Sequence, residues 1–198
     1  MATSVLAASS VSPRAHVRGV AEALPPGERV LWQGAPAPHA LARHLLFVRP
    51  LAVYFVMMVG WWVVANLDKV ATADFWAPVA MQLSLVALVL GGAYGLSRWI
   101  AGSTTYAITD RRLVMQLGVI FPLTINIPLK YVTGAQVRTF ADGTGQIAVQ
   151  LDPKEKLAYV VLFPHVRPWR FANPEPLLRG LTDVDQVGHL LRSATLGE

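Results

Sequence analysis

The sequence predicts an α+β membrane protein: a two-helix transmembrane hairpin, then an antiparallel β domain closed by a C-terminal helix. Three observations predict it. Two stretches of the 198 residues, 50–67 and 75–97, contain no Asp, Glu, Lys, Arg or His. From residue 104 the pattern changes to short β-prone runs, spaced roughly ten residues apart and broken by Gly, Pro and Asp. The final segment, 184–193, has helical period. Composition agrees, with 54% hydrophobic and 15% charged residues, where a soluble domain carries about 25% charged. With no Cys, a disulfide framework, a thiolate metal site and a thiol nucleophile are excluded.

Residues 1–23 are rich in Ala, Ser and Val. The apolar stretch 5–8 is too short for a signal-peptide core, and no basic residue precedes it. This arm is predicted to be disordered and cytoplasmic. Residues 24–45 hold one strand signal, 29–32, which can join the β domain that follows.

The hairpin is predicted over 46–99. As helices its charge-free stretches reach about 27 Å and 34 Å, against a hydrocarbon core of ~30 Å. Trp61, Trp62, Trp76, Tyr94 and Trp99 lie mostly toward the span ends, where amphipathic rings sit at headgroup level. Arg43, His44 and Arg49 precede the first span. Arg98, Arg111 and Arg112 follow the second, while the connecting loop sets Lys69 against Asp68 and Asp74. The positive-inside rule then places both termini in the cytoplasm. A third charge-free stretch, 113–129, is not a span. Gly118, Pro122 and Pro128 interrupt it, and Leu123, Ile125 and Ile127 alternate with Thr124 and Asn126 at strand period.

In the β domain, 100–198, strands are predicted at 104–109, 113–117, 123–129, 135–140, 146–151 and 157–163. A tight hairpin falls at 141–145 and a turn at 152–156. A short helix is predicted to start at Asn173 with Pro174 at its first position. The last helix places Val184, Val187, Leu190 and Leu191 on one face, capped by Thr182 or Asp183. Six or seven antiparallel strands closed by one amphipathic helix is the plan of a pleckstrin-homology-like barrel.

Several segments carry a resemblance. LPPGERVLWQGAP before the hairpin, then YAITDRRLVMQLG, INIPLKYVTGAQV and DGTGQI, resemble bacterial membrane proteins with a PH-like domain. The stretch PHVRPWR, Pro164 to Arg170, followed by PEPLLR, Pro174 to Arg179, resembles the photosynthetic complex assembly protein (PuhB) family of purple bacteria. The match covers about residues 24–195. It implies a non-enzymatic assembly factor for the reaction centre and core antenna in the bacterial inner (intracytoplasmic) membrane, acting without a cofactor. Its implied partners are reaction-centre subunits, the H subunit foremost, and the core antenna. Two alternatives remain: a general lipid- or protein-binding PH-like module, and a structural subunit of the finished complex.

The residues also bound the chemistry. Five His residues are scattered, and none pairs with a carboxylate at a motif spacing. No nucleophile elbow, zinc-protease signature or phosphate loop occurs. Neither span holds an imidazole or an Asp, Glu, Lys or Arg, which argues against pigment ligation and transport. His44 just before the first span is either a ligand or an interfacial cation. Residues 100–198 carry ten basic and eight acidic side chains, too balanced for nucleic-acid binding.

Two candidate binding surfaces remain. His165, Arg167, Trp169 and Arg170, with Glu175 and Arg179, form a stiff basic-aromatic edge suited to a protein partner or lipid headgroups. The competing reading has Trp169 capping the barrel and the arginines solvated. Ala80, Ser84, Ala87, Gly91 and Gly95 make a small-residue strip along the second span. That strip can pack on Gly60 and Ala52 of the first span, on another subunit, or on a second copy in a homo-oligomer.

Overall fold

The computed structural model describes residues 25, 27–118, 123–154 and 157–196. The predicted arm at 1–23 and part of the predicted turn at 152–156 lie outside the described residues.

The chain opens with strand β1 (Val30–Gly34) and a short helix α1 (Pro38–His44). Two long helices follow, α2 (Val48–Ala65) and α3 (Ala73–Gly102), joined through a 3-10 turn at Leu67–Lys69. Both are long and apolar enough to cross a membrane. Each starts two residues earlier than its charge-free stretch, and α3 runs on through Arg98. Their contact is laid out by helical period: Phe75 and Val79 are buried, and Gln82, Val86, Leu90 and Ala93 are half-buried. Trp62 meets Phe75 with ring centroids 5.4 Å apart. Everything else on α2 and α3 up to Leu96 is half-buried or exposed. Leu41 of α1 packs with Ile100 and Ala101, tying α1 to the end of α3.

Strands β2 (Thr105–Thr109), β3 (Arg112–Leu117) and β4 (Leu123–Pro128) extend β1 into an antiparallel sheet of order β1-β2-β3-β4. A second antiparallel sheet consists of β5 (Val132–Thr139), β6 (Gly145–Leu151) and β7 (Leu177–Leu181). Helix α5 (Val184–Leu196) completes the domain. The core joins Tyr106, Ile108 and Met115 of the first sheet to Ile147 and Leu178 of the second, with Val187 and Leu191 of α5. Trp32 Nε1 donates to Asp183 Oδ2 at 2.9 Å, pinning β1 to the start of α5. Arg112 donates through Nε and Nη2 to the two oxygens of buried Glu28, at 2.8 and 2.9 Å. A residue counted in the sequence as membrane-proximal charge is thus held by a carboxylate.

Three expectations are corrected. Among the described residues the strands form two sheets and not a closed barrel. Where a seam between β1 and β7 would run, Ala37 N–H donates to Gly180 O at 2.8 Å. Pro36 and Pro38 flank it and lack the N–H groups that a ladder needs. Second, 157–163 is not a strand but contains helix α4 (Tyr159–Leu162). The edge of β6 it would pair with is occupied by β7. The helical turn instead sends Leu162 into the core, fully buried, a gain of ~1.5–3 kcal/mol. Third, Asn173 and Pro174 start no helix; they lead through a Val166–Pro176 bridge into β7. Leu177, Leu178 and Leu181 are buried there, and Gly180 at φ +66° turns the strand away from helical backbone.

Candidate functional site

A β-strand sends alternate side chains to opposite faces. In the second sheet Ile147, Val149 and Leu178 face the core. The opposite face presents Gln136 and Arg138 from β5, Gln146 and Ala148 from β6, and Leu177 and Arg179 from β7. These floor a groove of about 750 Å³. His44, Leu45 and Phe47, from the end of α1 and the residue before α2, line one part. Phe163, Arg167 and Trp169 line another.

The first wall is fixed by contacts spanning about half the chain. His44 stacks on Phe140 with centroids 3.8 Å apart and planes 8° from parallel. Asp142 Oδ2 meets His44 Nε2 at 3.0 Å and also accepts from Arg43. Asp142 Oδ1 accepts from the Thr144 hydroxyl at 2.7 Å and its N–H at 3.1 Å, so the carboxylate shapes the turn it sits in. Gly143, at φ +78°, supplies the left-handed residue the turn requires. The Thr144 hydroxyl, then His44, then the Thr144 N–H and Arg43 hold Asp142 well below the usual carboxylate range.

The second wall rests on a buried polar cluster. His165 is 0% exposed. Its Nδ1 lies 2.6 Å from the Tyr106 hydroxyl and its Nε2 3.3 Å from Thr104 Oγ1. The Tyr106 oxygen accepts the Arg179 N–H at 3.2 Å, so its own proton is free to go to His165 Nδ1. That assigns the imidazole proton to Nε2, where it donates to Thr104. Burial, with the Arg179 charge, pushes the His165 pKa down to about 3; burial pushes the Tyr106 phenol above its ordinary value. Both groups are neutral at pH 7. Arg179 donates through Nε to Pro164 O at 3.1 Å and through Nη2 to Val166 O at 3.0 Å. Burial lowers its pKa from the ordinary guanidinium value.

The six residues of the predicted edge are thus divided. His165 lies in the interior and Arg179 lines the groove. Arg167 Nη1 donates at 2.8 Å to both Glu175 Oε2 and Gln136 Oε1, and Arg170 stands 3.8 Å from the other Glu175 oxygen. Glu175 is itself buried. Only Trp169 is fully presented, 86% exposed, with its ring edge-on to Phe171. Trp169 and Phe47 are the non-glycine residues with positive φ among those described, at 65° and 52°. Both line the groove, where such conformations, costing ~1–3 kcal/mol, tend to collect. The strip Ala80, Ser84, Ala87, Gly91 and Gly95 is exposed along its length. Nothing lies within 4 Å of a Cβ built at Gly60, Gly91 or Gly95. The strip faces away from α2.

Arg138, Phe140 and Asp142 are site residues that sequence reasoning missed. The only local signal was the turn sequence itself. Chemically the groove offers guanidinium groups, an imidazole and apolar surface: among the described residues three arginines and a histidine line it, and no Asp or Glu.

The bacterial PH domain family model matches residues 46–192. A Rhodobacter capsulatus protein, described as an uncharacterized 23.7 kDa protein in the puhA 5′ region, is 30% identical over 187 residues. The match covers 89% of this chain and 83% of the relative. No solved structure matches the chain.

Proposed function

The chain belongs to the bacterial PH domain family, and on that premise we propose that it is a membrane-anchored binding scaffold for assembly of the photosynthetic reaction centre and core light-harvesting complex. The likeness to the protein of the puhA 5′ region carries this reading. The PuhB family, which the PHVRPWR and PEPLLR segments resemble, shares that gene prefix.

The helices support the anchor. A core helix of a soluble protein is mostly buried, yet no residue of α2 is buried, and Met57 and Trp61 are over two-thirds exposed. A soluble surface rarely leaves so large an apolar patch open to water. The protein is a multi-pass inner-membrane protein with both termini cytoplasmic. The β domain presents the groove and Trp169 to cytoplasmic faces of reaction-centre subunits, the H subunit first, and of the core antenna. The outward small-residue strip of α3 meets a partner helix or a second copy. The role is binding and not catalysis. Such a scaffold raises the population of an assembly intermediate in proportion to its preference for that state.

Deleting the gene tests the reading. Reaction-centre and core-antenna levels drop severalfold and return with the wild-type gene; unchanged levels reject an assembly role. Recovery of the protein in stoichiometric amount with purified core complexes favours a structural subunit instead.

A further inference from the structure

We propose that the open edge of β4 takes an extended, uncharged segment of a partner polypeptide as an added strand of the first sheet. This rests on the scaffold reading and goes beyond it. It names a second contact, apart from the groove and Trp169, and the backbone chemistry that recognises the partner there.

The first sheet has the order β1-β2-β3-β4, so β4 is an edge. Its hydrogen-bonding phase follows from one bond and one rule. Leu129 N–H donates to Arg111 O at 2.9 Å. Antiparallel neighbours alternate between hydrogen-bonded and non-hydrogen-bonded pairs. The pairs Leu113–Ile127, Met115–Ile125 and Leu117–Leu123 therefore carry the ladder to β3. The backbone N–H and C=O groups of Thr124 and Asn126 point the other way. They make no hydrogen bond among the described residues, and both residues are exposed. Outward donors and acceptors at two-residue spacing are what an extended chain pairs with.

The remaining sheet edges are broken or covered. β1 has a bulge between Val30 and Trp32, and Pro36 and Pro38 follow it. Helix α5 packs along β5, where Thr139 Oγ1 donates to Asp185 Oδ1 at 3.3 Å. On β7, Leu177 N–H donates to His165 O at 2.9 Å, and Gly180 O accepts from Ala37. Folds blunt an exposed edge with charge, proline, a bulge or a covering element. From Leu123 to Ile127, β4 carries no charge, proline or bulge.

The same features define the occupant. No Asp, Glu, Lys or Arg stands between Arg112 and Lys130. An ionised side chain on the added strand would find no counter-charge in β4, so the segment is uncharged. Alternation sets its two faces. Polar side chains lie beside Thr124 and Asn126, and an apolar one lies beside Leu123, which is 39% exposed. The edge also has a place relative to the helices. Leu123 pairs with Leu117, and a Cβ built at the next residue, Gly118, would lie 2.9 Å from Ser103 O. Ser103 caps the end of α3. β4 thus starts beside that end, where a partner whose own helix packs on α3 brings its juxtamembrane segment.

The full-length protein in neutral detergent is mixed with excess solubilised reaction-centre and core-antenna complexes, and amide hydrogen exchange is read residue by residue. The Thr124 and Asn126 amides are expected to exchange about tenfold more slowly in the mixture. Ile125 and Ile127, already bonded to β3, should change little. Thr124→Pro removes one outward donor and leaves the bonds to β3 in place. It should bind the complexes about tenfold more weakly, while Thr124→Val, which keeps the donor, should bind as wild type does. Thr124→Lys with Asn126→Lys, both at exposed positions, should weaken binding without unfolding the domain. Binding with unchanged exchange at Thr124 and Asn126, or full binding by the double-Lys variant, overturns the added strand and leaves the scaffold standing. Slower exchange in the protein alone as its concentration rises assigns the edge to a second copy and also overturns the proposal. Wild type that binds neither complex sinks the scaffold reading, and the edge with it.

Discussion

The imidazole of His165 and the phenol of Tyr106 share a hydrogen bond of 2.6 Å, both side chains fully buried. The histidine is therefore a neutral acceptor inside the domain. Its folded pKa, about 3, lies below the ordinary value of about 6.5. The unfolded chain takes up the proton first as pH falls, so the stability this group contributes is complete above about pH 6.5 and declines toward pH 3. The slope reaches at most about 1.4 kcal/mol per pH unit. Denaturant unfolding in detergent across pH 4–8 should show that slope in wild type and lose it in His165→Gln. A His165 ring that titrates near 6.5 by NMR contradicts the assignment.

Asp142 links the β5–β6 turn to α1, and its pKa is depressed. Its contribution is present above the ordinary carboxylate range and is lost only as pH falls below it. Asp142→Asn should lower the melting midpoint by several degrees at neutral pH and leave a shallower acid transition than wild type. Proteolysis should begin at the turn or near residue 45.

Trp169 combines a left-handed backbone with near-complete exposure. Asn tolerates that conformation better than an aromatic residue does. Trp169→Asn should leave stability unchanged or raise it by up to about 1 kcal/mol, while capture of reaction-centre subunits in pull-downs falls. A matching loss of stability would mean that the ring caps the fold.

Arg179 holds two carbonyls of the 164–166 segment. Arg179→Met should cost about 2–3 kcal/mol, since hydrogen bonds to a charged group contribute ~1.5–3 kcal/mol each and this group is partly exposed. Thermal unfolding with near-UV circular dichroism checks it, the aromatic signal of the 159–171 segment being lost first.

Gly91 and Gly95 face away from α2. Gly91→Ile with Gly95→Ile should leave the monomer folded, because nothing among the described residues lies within 4 Å of a Cβ built at either position. Association through α3 should fall, read by cross-linking in membranes. Loss of the folded monomer instead would place the strip inside the chain's own hairpin.

Much of this was legible locally. Charge-free stretches marked α2 and α3 because a long apolar helix needs no information beyond its own composition. The alternation of Leu123, Ile125 and Ile127 marked β4, and the DGTG turn marked the β5–β6 hairpin. The segment 157–163 misled because β-branched residues favour a strand only where a sheet edge is free, and β7 had taken that edge. The PEPLLR segment misled in the reverse sense, since Pro174 resembles a helix start until Gly180 and three buried leucines are set against β6.

The sequence by itself determined the apolar helix pair, the antiparallel β domain and the amphipathic face of α5, since each follows from periodicity within one segment. Tertiary structure decided which charges are free. Arg112, Arg167 and His44 looked equally available in the sequence, and each found a carboxylate between 8 and 98 residues away. Among the described residues, Arg138 and Arg179 did not. Pairing of this kind depends on which strands and helices come to lie side by side, and that is set by burial of the common core and not by neighbours along the chain.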